Sequence, residues 1–207
     1  MKSWLQFGKW LRGCGTLGLV FFLSGVGARA LAAEQPHLDG REAMQFLQRA
    51  REYVSVRNSA VEEVPKLVET SSPVEIAARE KLIADAIRAQ RKTAKRGDVF
   101  DGAGTHIQAL VRNDWQGRPY AERAALWKEI PLVDTPAVNA PYPARLPLAT
   151  FPPELLAQLP ELPEELAYRF AGPHLILLDV EANMVVDVLP NVLSDPGAPR
   201  LGAEADQ

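Results

Sequence analysis

Beyond residue 33 the chain contains no cysteine, since its one thiol, Cys14, lies among the first residues. That absence excludes a disulfide, a thiolate nucleophile and any Cys-ligated zinc or iron site in the remainder of the chain. Histidine is almost as scarce. His37, His106 and His174 are the only three, and none belongs to a metal-binding His-x-x-x-His helix. No serine occupies a Gly-x-Ser-x-Gly elbow, and Gly102-Ala103-Gly104 lacks the lysine that a phosphate-binding loop requires. Positive charge is short as well: after residue 33 there are 19 basic against 26 acidic residues. Nucleic acid and anionic lipid surfaces are bound through clustered Lys and Arg, so an acidic chain of this kind argues against both as partners.

Among what is present, the start of the chain is the most informative. Lys2, Lys9 and Arg12 precede an apolar run from Leu17 to Val26, and Ala28, Ala30, Ala32 and Ala33 follow it. A basic start, a short apolar centre and small residues form an export signal spanning 1–33, with cleavage after Ala32 or Ala33. A membrane anchor would need about 20 mainly apolar residues, and Gly15, Gly18, Ser24, Gly25 and Gly27 interrupt this run. The expected product is periplasmic or extracellular, without stable membrane insertion after cleavage.

Composition then divides the rest into two regimes. Thirteen of the 17 prolines lie from Pro131 onward, whereas the segment before it is dense in charge. In the front half, Asp39-Gly40-Arg41-Glu42 and Ser72-Pro73-Val74-Glu75 read as capping boxes. Apolar residues recur behind each at three- and four-residue steps, from Phe46 to Val64 and from Ile76 to Ile87. This pattern predicts an antiparallel helical hairpin whose second helix ends in the basic run from Arg88 to Arg96, closed by Gly97. Two shorter helices are expected, one near Ile107 to Asn113 with Thr105 and Gln108 as its capping box, the other from Pro119 to Glu129 burying Tyr120, Ala124 and Trp127. Trp115 and Trp127 are expected to close the core.

Residues 131–165 are so rich in proline that only one short helix, Pro153 to Gln158, fits; the remainder reads as an ordered strap across the helices. Strand signals follow at Leu166 to Phe170, His174 to Asp179 and Met184 to Leu189, joined by Gly172-Pro173 and Glu181-Ala182-Asn183. Three strands are too few to stand alone, so the expected fold is α+β, one domain over 34–194. Its parts are helices over 39–130, the strap, a three-stranded antiparallel meander over 166–190, and a disordered tail at 195–207.

Several of these stretches carry a resemblance. Tyr53-Val54-Ser55-Val56-Arg57, Arg96-Gly97-Asp98-Val99-Phe100 and Glu165-Leu166-Ala167-Tyr168-Arg169-Phe170 running into Asp179-Val180-Glu181-Ala182-Asn183 resemble a set of exported bacterial proteins of unknown function. The resemblance implies export and carries no activity or cofactor. Where those relatives often have Thr-Pro after the Gly-Asp-aliphatic-Phe stretch, this chain has Asp101-Gly102.

Two residue groups are candidates for chemistry. Asp179, Glu181, Asn183 and Asp187 offer hard oxygen ligands at relative positions 1, 3, 5 and 9, the type calcium prefers. Met184 and Pro190, however, stand where a calcium loop needs Gly and Glu. Tyr53 and Arg57, one helical turn apart, together with Arg96 and Asp98 at the end of the second helix, form either a polar clamp or a ligand site. The absence of catalytic motifs favours a non-catalytic module that binds another exported or membrane protein through its acidic surface or a strand edge. A carboxylate-dependent hydrolase or lyase is the alternative, and a small-ligand carrier lined by Trp115 or Trp127 a third.

Overall fold

The computed structural model describes residues 38–66, 69–133, 136–143 and 145–197. The export signal and the tail from 198 lie outside the described residues.

Helix α1 spans Gly40–Glu62 and begins where Asp39 Oδ1 accepts the backbone N–H of Glu42 at 2.7 Å. Glu42 does not complete the capping box; its carboxylate lies 2.8 Å from His106 Nδ1 instead, tying α1 to a later helix. The buried stripe of α1 is Phe46, Ala50, Tyr53, Arg57 and Ala60, so an arginine occupies a position that the helical period assigns to the core. Helix α2, Pro73–Gln90, packs on α1 and buries Ile83, Ala84 and Ile87. Its cap residue Ser72 makes no side-chain bond to the helix, and Pro73 at the first position leaves one donor fewer to satisfy.

The expected end of α2 needs correcting. The helix stops at Gln90, and the basic run beyond it is a succession of turns in which Gly97 (φ 90°) and Gly102 (φ 81°) hold the left-handed backbone that glycine tolerates. Helix α3 runs over Gly104–Gly117, longer than the sequence pattern suggests, and is entered from Ala103 without a side-chain cap. Helix α4, Tyr120–Glu129, buries no residue fully, and Tyr120 points to solvent. The short α5 covers Pro153–Leu156.

Strands β1 (Leu166–Ala171), β2 (His174–Asp179) and β3 (Met184–Leu189) form the antiparallel meander in the order β1-β2-β3. The chain is therefore α+β with a C-terminal three-stranded sheet. The sheet is covered on both faces. Leu166, Tyr168, Phe170, Leu175, Leu177, Met184 and Val186 meet the helices. Ala171, Ile176, Leu178, Val185 and Val188 meet Tyr142, Val133, Val138 and Leu146 from the proline-rich segment. That segment thus divides: its first part lies on the sheet face away from the helices, not across them, and its later part, with Ala149, Phe151, Leu155 and Leu159, joins the helical core as expected. Aromatic rings bind the helical side together, with Phe46 stacked on Phe100 at 5.6 Å and Phe151 on Phe170 at 4.8 Å.

One irregularity decides where the polar groups go. Leu177 pairs with Asp187 but Leu178 pairs with Val185, so Val186 is an extra residue in β3. A bulge of this kind breaks the two-residue alternation and turns both Val186 and Asp187 toward the helices. Among the described residues no helix is long and apolar enough to cross a membrane.

Candidate functional site

Two buried carboxylates organise the interior of the helix–sheet junction. Asp179, at the end of β2, is fully buried. Its Oδ2 accepts the Tyr53 hydroxyl at 2.7 Å and Arg57 Nε at 3.0 Å. Its Oδ1 accepts the backbone N–H groups of Glu181 and Ala182 at 3.1 and 2.8 Å, which closes the turn between β2 and β3. Arg57 also bonds Glu181 and, through Nη1, Asn58 Oδ1 at 3.0 Å. Glu181 in turn faces Arg79 Nη2 of α2 at 3.4 Å. Burial opposes the Arg57 charge, but Asp179 and Glu181 outweigh it and hold the guanidinium pKa above its ordinary value.

Asp187 is held differently. Its Oδ1 accepts the N–H of Gly97 at 2.7 Å and its Oδ2 those of Val99 and Phe100 at 2.8 and 2.9 Å. These turns have no helix or strand to satisfy their donors, and the carboxylate gathers three of them at one point. Arg91, the residue after α2, turns inward over the Tyr53 ring at 4.8 Å. Its Nη1 donates to Asn139 Oδ1 at 2.7 Å, and Asn139 Nδ2 donates back to the Arg91 carbonyl at 3.0 Å. Burial lowers the Arg91 pKa.

The sequence candidates are therefore regrouped. Tyr53 and Arg57 meet Asp179 and Glu181, which the calcium pattern had placed in another set. Asn183 Nδ2 donates to the Tyr142 carbonyl at 3.1 Å, and Asp187 sits with the Gly97 turns, so the four candidate calcium ligands face different neighbours. Among the described residues no three His, Asp or Glu side chains are placed to hold a metal. Arg96 and Asp98 do not join Tyr53 and Arg57; they line an open depression of about 560 Å³ with Arg49, Lys95 and Gln108. Asp98 accepts the N–H of Lys95 at 2.9 Å there, while Arg49 pairs with Asp101 at 2.8 Å. Trp115 is buried, donates to the Ser194 carbonyl at 3.0 Å and packs 6.1 Å from Trp127. The void beside it is only about 10 Å³, too small for a ligand.

Sequence reasoning missed Arg91, Asn139 and the turn donors on Asp187. A signal existed for the last: Met184-Val185-Val186-Asp187-Val188-Leu189 is apolar at every other position, and a lone carboxylate in a buried strand requires donors.

The buried network has a pH consequence. Desolvation, followed by the Asp179 charge, pushes the Tyr53 hydroxyl far above its usual value of 10.0, and burial does the same to Tyr168. A folded pKa raised above the unfolded one leaves the contribution intact below about pH 10. Above that, stability falls as pH rises, by about 1.4 kcal/mol per pH unit for each tyrosine. Urea unfolding measured from pH 9 to 11 is expected to show that decline, with a shallower slope in Tyr53→Phe.

The sheet margins supply a surface of another kind. The outer side of β3 is occupied at its start: Asn139 N donates to Val185 O at 2.8 Å, Val185 N to Ala140 O at 2.9 Å and Tyr142 N to Asn183 O at 2.8 Å. The outer side of β1 differs along its length. Val180 N donates to Glu165 O, which makes 165 and 180 a bonded pair; by alternation the backbone groups of Leu166, Tyr168 and Phe170 point away from β2. Pro131 O takes the N–H of Gly172, and Leu166 N is taken by Pro163 O. Between these closures, the N–H of Tyr168 has no acceptor among the described residues, and its carbonyl accepts Arg169 Nη1 at 2.8 Å. Beside this stretch runs an apolar groove of about 460 Å³, lined by Phe151, Leu156, Leu159, Leu162, Ala167 and Arg169. Leu156 is half-exposed there.

Compared with protein-family models, with curated proteins and with solved structures, the chain matches none.

Proposed function

We propose that the protein is an exported, non-catalytic interaction module of the cell envelope that receives an extended segment of another exported or membrane protein along the open stretch of β1. One observation carries this reading: beside an apolar groove, the N–H of Tyr168 on the outer side of β1 has no acceptor among the described residues, while on the opposite edge of the sheet residues 139–142 bond Asn183 and Val185. Strand addition uses main-chain bonds for affinity and neighbouring pockets for side-chain choice, and this stretch offers both. Unprotected edges are hazards that natural sheets usually cover, so one left open next to apolar surface calls for a partner.

The arrangement of carboxylates favours the same reading over a carboxylate enzyme. Among the described residues Asp179 and Asp187 are the fully buried acids, and their oxygens accept hydrogen bonds from the protein donors described above. An acid–base pair would need at least one of them turned toward a substrate. Export rests on the basic, apolar and small-residue order of the first 33 residues.

The test compares the native protein with Leu156→Asp after mild crosslinking in its own host. Leu156 is exposed enough that the variant is expected to keep its stability within about 0.5 kcal/mol. A crosslinked species that forms with the native chain and disappears with Leu156→Asp supports the reading; an identical crosslinking pattern for both contradicts it.

A further inference from the structure

The groove beside β1 holds an arginine whose guanidinium has no carboxylate partner among the described residues. Arg169 lies on the outer strand, lines the groove, and has no carboxylate partner among the described residues. Its Nε is buried without an acceptor, and its Nη1 is turned onto the carbonyl of Tyr168 at the open edge. Buried guanidinium donors are normally satisfied, so an unfilled one at the lip of an apolar groove is an incomplete pair. Two other arginines near the sheet show the contrast: buried Arg57 has Asp179 and Glu181, and half-buried Arg91 has Asn139 and the Val186 carbonyl.

We propose that the segment received by β1 is an extended peptide with an acidic residue opposite Arg169 and an apolar residue on each side of it. The inference rests on the strand-addition reading above and adds its side-chain code. The spacing follows from the pleat. Arg169 and Ala167 project to one side of β1, whereas Tyr168 and Phe170 project to the helical side with Phe151, Leu155 and Leu159. In an added strand, a residue opposite Arg169 shares its face and comes within about 5.5 Å between Cβ atoms, close enough for a carboxylate to reach the guanidinium. Its two neighbours along the chain point to the other face, into the groove with Leu156 and Leu159. The code is therefore apolar, acidic, apolar over three consecutive residues. The protein itself is acidic, with 26 Asp and Glu against 23 Lys and Arg, and Glu161 also lines the groove. A strongly acidic segment would be repelled, so the carboxylate should stand alone in a segment without net negative charge.

The test is panning of phage-displayed random octapeptides on the purified native protein, on Leu156→Asp, and on Arg169→Glu and Arg169→Lys, with thermal melts establishing that each variant is folded. Native protein and Arg169→Lys are expected to enrich peptides with a single Asp or Glu between apolar residues. Arg169→Glu is expected to enrich Lys or Arg at the same place. Synthetic peptides with the acid replaced by its amide should bind the native protein at least about tenfold more weakly. If Arg169→Glu does not fold, Arg169→Gln serves, and loss of the acid preference is the expected result. Peptides without an acid that nonetheless lose binding to Leu156→Asp would overturn the charge code and leave strand addition standing. Peptides that bind native protein and Leu156→Asp equally, or no enrichment on the native protein, would overturn both.

Discussion

Replacing Asp187 by asparagine is expected to destabilise the protein by about 3 kcal/mol. The carboxylate accepts from Gly97, Val99 and Phe100 at 2.7 to 2.9 Å in a site with no exposure to solvent. Asparagine keeps one oxygen and presents an amide donor to the remaining N–H groups, so buried donors lose their acceptor and face another donor. The turns 97–103 carry Phe100 into its stack on Phe46, so the loss extends from hydrogen bonding to aromatic packing. At this chain length the melting temperature should fall by roughly 6–12 °C. Asp101→Asn is the control. That carboxylate is exposed and pairs with a half-exposed Arg49, so its loss should cost no more than about 1 kcal/mol. Equal melting shifts for the two variants would show that Asp187 does not anchor the turns.

Arg57→Ala is expected to cost about 3–5 kcal/mol, because it leaves Asp179 buried without its cation. Both side chains are nearly inaccessible, 7% and 0% exposed, which removes the solvent screening that makes surface pairs weak. Asp179 would retain Tyr53 and two backbone donors, so the fold should survive at reduced stability. In a double-mutant cycle with Asp179→Ala, the double variant should be less destabilised than the sum of the single ones, by about 1–3 kcal/mol. Strict additivity in urea unfolding would mean that the two groups do not act on each other. A ligand site would behave in the opposite way, with binding lost and melting unchanged.

The α+β class and the three strands were legible because period and punctuation agreed: apolar residues at three- and four-residue steps before Ile130, apolar runs broken by Gly172-Pro173 and Glu181 to Asn183 after it. Tyr53 with Arg57 was legible as a pair, since one turn of helix separates them. Their partner was not. Asp179 lies more than a hundred residues away, and only the antiparallel return of β2 brings its carboxylate over α1. The pattern Asp179, Glu181, Asn183, Asp187 suggested a cation loop because spacing alone does not say where a side chain points; the extra residue at Val186 turns Asp187 away from the loop and toward Gly97. Propensity placed the start of α2 correctly but not its capping bond, and it misplaced the start of α3, for a simple reason. Ser72 and Thr105 can cap, but Pro73 leaves little for Ser72 to cap, and α3 grows directly from the preceding turns, where Gly104 N already bonds Phe100 O at 2.6 Å. Which sheet edge stays open could not be read in advance, because that depends on the path of a proline-rich segment with no periodic signal of its own.

The most direct measurement is site-specific photocrosslinking in the native host, with a photoreactive amino acid at Leu156 in the groove and, separately, at Val74 on the exposed face of α2. A discrete adduct from position 156 and none from position 74 is the expected result. Adducts from both positions alike, or from neither, would contradict a partner-binding edge at β1.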